Sequence, residues 1–405
     1  MRKRTLLLLA LIAALVAVLL WWFRPWSPYS PSVMTRLFHP EYRLDNFRAM
    51  ENVFPYVILP ASDTPTPLPR AATPGDLPQT FRHNGEDIDV GEFLTRTETT
   101  GLMVLQDGEV QLEQYFQGTE PTSRLTSWSM AKTVVSTLVA IAHEDGHIGS
   151  LDDKVSDYVP ALKGKAYGDV SIQHLLMMAS GIDFDETYHK HTSDINLLFY
   201  RVFLLGASAR DVVASHPAAQ PSGERFHYIS PNTQILAWVL AEAVGSSVSA
   251  YASEQLWQPL GMEDDALWNL DQHGIELAFC CLNVTLRDYA KLGQLHLQQG
   301  VWNYQQILPE GWVFSATRRP EPWMASGHGY AERGYGYHLW TPTEPDGEYF
   351  FNGVWGQTIW VAENPGVVIV KTSVDPDFRP HTAEMISFMR GVTAHLSRTS
   401  EKPDT

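Results

Sequence analysis

Strand patterns lie at both ends of the body of this chain and helix patterns fill its middle. That order excludes a parallel sheet built from alternating strands and helices. Gly101-Leu-Met-Val-Leu-Gln106, the turn Asp107-Gly108 and the alternating run Glu109 to Phe116 spell a β-hairpin. Helical spacing follows over Met130–His143, Ile172–Met178, Ile235–Val244 and Leu286–Gln299, with Gly146, Gly181, Gly245 and Gly300 as stops. Ser171 is a ready N-cap for the second of these. The last third returns to strands at Tyr335–Trp340, Thr358–Val361 and Val367–Ser373, then closes with a helix over Ala383–Leu396. The expected class is α+β: an antiparallel sheet made by both chain ends, flanked by helices, with a mainly helical lobe inserted between them.

The N-terminus has a different character. Met-Arg-Lys-Arg precedes an uninterrupted apolar run from Leu6 to Phe23, and Trp21, Trp22 and Trp26 crowd its far end. An 18-residue helix is about 27 Å long, close to the hydrocarbon thickness of a bilayer. The basic tip predicts a cytoplasmic N-terminus, with the body outside the cytoplasm, which is the periplasm if the source is bacterial. A cleaved signal is the alternative, giving a secreted protein, but Trp-Trp-Phe-Arg-Pro-Trp lacks the small residues of a cleavage site. The expected layout is a tip and transmembrane anchor at 1–26 and an extended, proline-rich arm at 27–84. A catalytic domain at 85–398 and a disordered tail at 399–405 complete it. Pro60 to Pro78 holds six prolines and marks the arm.

Forty-six acidic against 29 basic residues give a net charge of −17, which leaves no general electrostatic reason to bind nucleic acid. The two cysteines, Cys280 and Cys281, are adjacent; they read as small buried thiols, with a strained vicinal disulfide as the alternative. Among the 15 histidines, His143 and His147 are four apart, but Gly146 ends the helix between them. No metal or other cofactor is expected.

Chemistry concentrates in Ser129-Met-Ala-Lys132. A serine and a lysine three apart share one helix face. Serine is a weak nucleophile that needs a base, and lysine serves when burial makes it neutral. At a helix start the backbone N–H groups also point toward whatever the hydroxyl attacks. The competing reading is plain, since serine is a common N-cap and the tetrapeptide arises by chance.

The surrounding sequence weighs against chance. Thr126-Ser-Trp-Ser-Met-Ala-Lys-Thr133 enters a long apolar helix. Leu151-Asp-Asp-Lys-Val155 with Pro160, His174 to Gly181, and Pro221-Ser-Gly-Glu-Arg-Phe-His-Tyr228 follow in order. Then come Asn283 to Gly300, Gly353-Val-Trp-Gly-Gln357, Asn364-Pro365 and Val367 to Val370. Over roughly 85–395 this resembles the serine β-lactamase-related superfamily. That group includes class C β-lactamases, D-alanyl-D-alanine carboxypeptidases, certain esterases and 6-aminohexanoate-dimer hydrolases. The resemblance implies a β-lactamase/transpeptidase-like fold with Ser129 as nucleophile, Lys132 as its base and Tyr228 as a proton-exchanging phenol. It also implies an oxyanion hole from the N–H groups of Ser129 and Val354. Ser230 takes the third place of the family's Tyr-x-Asn motif and Asn232 lies two further on; either is expected to bond Lys132 or the substrate. Tyr188, Gly353 and Trp355 are expected to touch substrate.

One departure bears on substrate. Where β-lactamases and carboxypeptidases carry Lys-Thr-Gly, this chain has Phe351-Asn352-Gly353. The cation that anchors a substrate carboxylate is missing, and Phe351 is expected to offer apolar surface to the cleft. Lys371-Thr-Ser373 reads as an ordinary strand end, and Arg379 and His381 as a solvated loop. The expected function is a membrane-anchored serine hydrolase that cleaves a small ester or amide through an acyl-enzyme. A D-alanyl-D-alanine carboxypeptidase or β-lactamase is the alternative, and a non-catalytic penicillin-binding-like sensor the rival from another class.

Overall fold

The computed structural model describes residues 2–24, 30–318 and 321–400. Trp26, the start of the arm at 27–29 and the tail residues 401–405 lie outside the described residues.

Seven strands form the main sheet: β1 (Thr99–Gln106), β2 (Glu109–Tyr115), β3 (Arg333–Tyr335), β4 (Trp340–Pro342), β5 (Glu348–Gly353), β6 (Gln357–Ala362) and β7 (Val367–Ser373). Their order is β3-β4-β5-β6-β7-β1-β2, antiparallel throughout. The two ends of the chain meet where β7 pairs with β1, with Val367 opposite Gln106 and Val370 opposite Met103. These central strands read as apolar runs because helices cover both faces. Leu102, Val104, Val367 and Ile369 pack on Phe388, Met389 and Val392 of the C-terminal helix Thr382–Ser400. Met103, Leu105, Val368 and Val370 belong to the core that includes Leu292 and Leu295 of the helix Leu286–Leu297. Gly293 allows that close approach: a Cβ there would lie 2.6 Å from Val368 and 2.7 Å from Ile359.

The helical lobe is centred on Met130–Glu144, buried on nearly every side and crossed by Ser230–Val244. The latter starts five residues before the apolar spacing suggested. Pro231 fits a first helical turn, where its missing N–H costs nothing. The stretch Tyr335–Trp340, expected as one strand, is instead the hairpin of β3 and β4. Left-handed His338, at φ 57°, lies in its turn and breaks the extension. Residues 399 and 400 continue the last helix rather than starting a tail.

The region expected as an extended arm is built more firmly. It forms two short helices, Pro31–Arg36 and Arg43–Arg48, and a strand, Tyr56–Leu59. That strand edges a four-stranded sheet of Tyr56–Leu59, Ala266–Asn269, Leu282–Val284 and Leu125–Thr126, in that order. Phe47, Met50, Val53 and Phe54 are buried in the main core. From Pro60 on the chain does run extended along the body, with Ser62 N–H donating to Met262 and Val110 N–H to Pro69. The helix at Lys3–Phe23, of mean hydropathy 2.9, is long and apolar enough to cross a membrane or to act as a signal sequence.

Candidate active site

The small sheet aims the chain at its chemistry. Thr126 pairs with Asn283, and Ser127 N–H donates to Leu282, after which the backbone turns sharply. Trp128 takes a left-handed conformation, φ 43°, and Ser129 sits directly before the first turn of Met130–Glu144. Lys132, one turn on, is fully buried, and its Nζ lies 2.9 Å from Ser129 Oγ and 2.8 Å from the Phe279 carbonyl oxygen. Burial disfavours the ammonium and brings Lys132 down to about 7, although the Glu186 carboxylate works against this. Tyr228, in the approach to Ser230–Val244, places its ring 5.3 Å from Lys132 Nζ, and its hydroxyl hydrogen-bonds with Ser129. Burial pushes this phenol up, so it is a neutral hydroxyl near neutral pH; the Ser129 bond and the Arg333 guanidinium act in the opposite direction. The three side chains thus form one contact group, with lysine in the protonation range of a base and tyrosine in that of an acid.

The end of β5 closes the other side. A Cβ on Gly353 would lie 2.5 Å from the Ser127 carbonyl and 3.2 Å from the Ser129 nitrogen, so a residue without a side chain is needed here. Val354 follows, and Trp355 turns left-handed at φ 65°. Val354 and Ser129 line the same cleft. The two tryptophans that flank this pair share a clamp. Phe47 sets its ring edge-on to Trp128 at 5.0 Å and to Trp355 at 5.5 Å. Phe38 stacks on Trp355 at 5.6 Å and tilts against Trp128 at 5.7 Å. Both phenylalanines come from the region expected as an outlying arm.

The cleft is about 480 Å³. Tyr188, Ser230, Val354 and Trp355 line it beside Ser129. Ser230 bonds neither Lys132 nor open solvent: its Oγ donates to Glu186 Oε1 at 2.6 Å, its N–H reaches Glu186 Oε2 at 3.0 Å, and Tyr188 O–H donates to Oε1 at 2.8 Å. Glu186 therefore ties two cleft residues together and lends charge to Lys132. The sequence offers no signal for it beyond an acidic stretch before Tyr188. Arg333, which faces Tyr228 and lies 4.0 Å from the Trp340 ring centroid, was equally invisible.

Several expectations need correction. Asn232 is not in the cleft. Two residues beyond Ser230 on a helix, it points about 200° away. It is fully buried and accepts from Tyr167 O–H at 3.1 Å. Phe351 is also withdrawn. Its face of the sheet is roofed by Leu286–Leu297, so it meets the His296 ring at 4.8 Å and is 1% exposed. Cys280 and Cys281 are joined in a vicinal disulfide rather than being thiols, and Cys280 lines the cleft. Arg379 is exposed, but it does not simply float in a loop; its guanidinium lies 5.2 Å above the Tyr188 ring at the cleft rim. His381 turns inward, 2.8 Å from Asp375.

A profile of the Beta-lactamase family matches residues 89–386. The 6-aminohexanoate-dimer hydrolase of Paenarthrobacter ureafaciens is 28% identical over 320 residues, spanning 76% of this chain and 81% of that protein. A solved structure from Bacillus anthracis, provisionally named a 6-aminohexanoate-dimer hydrolase, superposes with a TM-score of 0.81 at 24% identity. It covers 89% of this chain and 96% of its own. A penicillin-binding protein from Bacillus halodurans superposes at 0.59 and 16% identity, over 75% of this chain and 99% of that one. At these identities the solved structures establish the fold alone. The chain belongs to the Beta-lactamase family. It is a hydrolase of the β-lactamase fold.

Proposed function

We propose that this protein is a membrane-anchored serine hydrolase that cleaves a linear ester or amide through an acyl-enzyme on Ser129. The observation that carries the reading is the buried Lys132 amine, brought near pKa 7 and 2.9 Å from the serine hydroxyl. Ser129 Oγ attacks the substrate carbonyl carbon and its proton passes to Lys132 Nζ. The N–H groups of Ser129 and Val354 hold the oxyanion. As the tetrahedral centre collapses, the Tyr228 hydroxyl donates a proton to the leaving alcohol or amine and takes back the proton that Lys132 accepted from the serine. Water then attacks the acyl carbon and gives its proton to Lys132, which returns it to Ser129 Oγ as the ester bond breaks and the carboxylic acid leaves.

Amide cleavage in a linear chain is supported by the name of the Paenarthrobacter relative. A β-lactam or D-alanyl-D-alanine substrate is disfavoured by Phe351, which replaces the carboxylate-binding lysine and is itself buried. Anchoring is supported by the apolar Lys3–Phe23 helix. A fluorophosphonate probe followed by mass spectrometry tests the nucleophile. Wild type gains the adduct on Ser129 and turns over p-nitrophenyl acetate, whereas Ser129→Ala does neither. Labelling on another serine in the variant removes Ser129 from the role. Nitrocefin turned over with higher kcat/KM than simple esters overturns the substrate class. Recovery of the full chain in the soluble fraction without detergent overturns the anchor.

A further inference from the structure

The cleft carries more apolar surface than a short acyl group needs. No Asp, Glu, Lys or Arg stands among the described residues that line it. Phe38, Ile195, Phe199, Phe279, Trp355 and Phe378 dominate its walls. Its volume of about 480 Å³ is that of a site for a drug-sized apolar ligand.

One wall continues toward the N-terminal helix. Thr35, Phe38 and His39 line the cleft, and Thr35 belongs to the Pro31–Arg36 helix. That helix touches both Arg2–Phe23 and the turn Tyr200–Leu204. Part of the exposed apolar surface of the body lies on this wall. Phe38 and Tyr200, both in the cleft wall, are 38% and 43% exposed, and nearby Leu197 and Leu205 are 41% and 69% exposed. A soluble enzyme for a soluble substrate has no need for an apolar rim around an apolar cleft.

We infer that the site takes the acyl chain of a neutral or zwitterionic amphiphile resident in the membrane, presented at a mouth that the anchor helix holds against the bilayer. This rests on the acyl-enzyme and anchoring readings above. The net charge of −17 selects against anionic amphiphiles, which the body repels. The chain lies between the phenylalanine walls with its carbonyl carbon at Ser129, and the polar leaving group remains near the rim, at Tyr188 and Arg379.

The test uses the full chain reconstituted in phosphatidylcholine vesicles, with p-nitrophenyl esters from acetate to dodecanoate, beside a variant lacking residues 1–24. Full-chain kcat/KM rises about two- to fourfold for each added methylene up to at least the octanoate. On vesicle-embedded dodecanoate the full chain exceeds the truncated one tenfold or more, while both cleave acetate at equal rates. A flat or falling chain-length series overturns the acyl-chain site. Equal rates on embedded dodecanoate overturn presentation from the membrane. In both cases acetate turnover with a Ser129 adduct leaves the hydrolase reading standing; loss of acetate turnover and of the adduct refutes that reading itself.

Discussion

Phe47→Ala tests whether a residue far in sequence from every motif sets the rate. Phe47 is 3% exposed and does not line the cleft, so its removal cannot alter substrate contacts directly. It does remove the ring-edge contacts to Trp128 and Trp355. Each such aromatic pair is worth about 0.5–1.5 kcal/mol beyond area burial, so about 1–3 kcal/mol of restraint disappears. Both tryptophans hold left-handed backbones, at φ 43° and 65°, and such conformations cost on the order of 1–3 kcal/mol each. The restraint lost is therefore comparable to the strain it opposes, and the N–H groups of Ser129 and Val354 move off their aim. If the whole loss falls on the transition state, kcat drops about 5- to 150-fold with KM for p-nitrophenyl acetate unchanged. The cavity also costs about 3–5 kcal/mol of stability. Steady-state kinetics must accordingly be run well below the melting temperature of the variant. Phe47→Leu separates the two effects: it restores most of the stability but not the ring contacts, and kcat stays low. A Phe47→Leu enzyme with kcat within twofold of wild type would show that the clamp is packing alone.

Three further outcomes follow from the geometry. In the proposed mechanism Lys132 must be neutral to accept the serine proton, so kcat/KM rises with pH through about 7; Glu186→Gln removes a charge that favours the ammonium and shifts this limb to lower pH. A limb unmoved by that substitution means Glu186 is not felt at the base. Reducing the Cys280–Cys281 bond loosens the segment whose Phe279 carbonyl holds Lys132, and kcat falls about 2- to 10-fold, the worth of one hydrogen bond; unchanged kcat under full reduction, checked by thiol titration, contradicts this. Phe351→Lys fails to improve carboxylate-bearing substrates and instead lowers the melting temperature, because it places a charge beneath Leu286–Leu297 against the His296 ring; a gain on nitrocefin with full stability would restore Phe351 to the cleft.

The sheet and the long helices were legible because period and punctuation act locally. β7 was read to the residue, and Met130–Glu144 to within one. Ser129, Lys132 and Tyr228 came together because the resemblance rests on whole motifs, and the structure places their polar atoms in one group. What sequence could not supply is long-range contact. Phe47 meets partners about 80 and 300 positions away, and nothing in an amphipathic six-residue helix reports them. The Phe351 reading erred for a related reason. Alternation separates the two faces of a strand, yet whether a face is open cleft or roofed core depends on a helix from elsewhere in the chain.

The charge of the whole molecule sharpens what the site must accomplish. A body with net charge −17 biases any lysine toward its protonated form, the form that cannot act as a base. Burial overcomes that bias at Lys132, and the neutral cleft lining keeps carboxylates from the substrate side. Glu186 stands behind that lining. Its carboxylate is occupied by Ser230 and Tyr188, so it organises the wall while its charge is partly spent on their donors. The amine is then left with a serine hydroxyl and a backbone carbonyl as hydrogen-bond partners, neither of them ionised. A carboxylate in either place would pin the ammonium and remove the base. The acidity of the surface and the neutrality of the cleft are thus separate requirements, and the second is what the proposed lysine-assisted serine chemistry needs near pH 7 in an acidic protein.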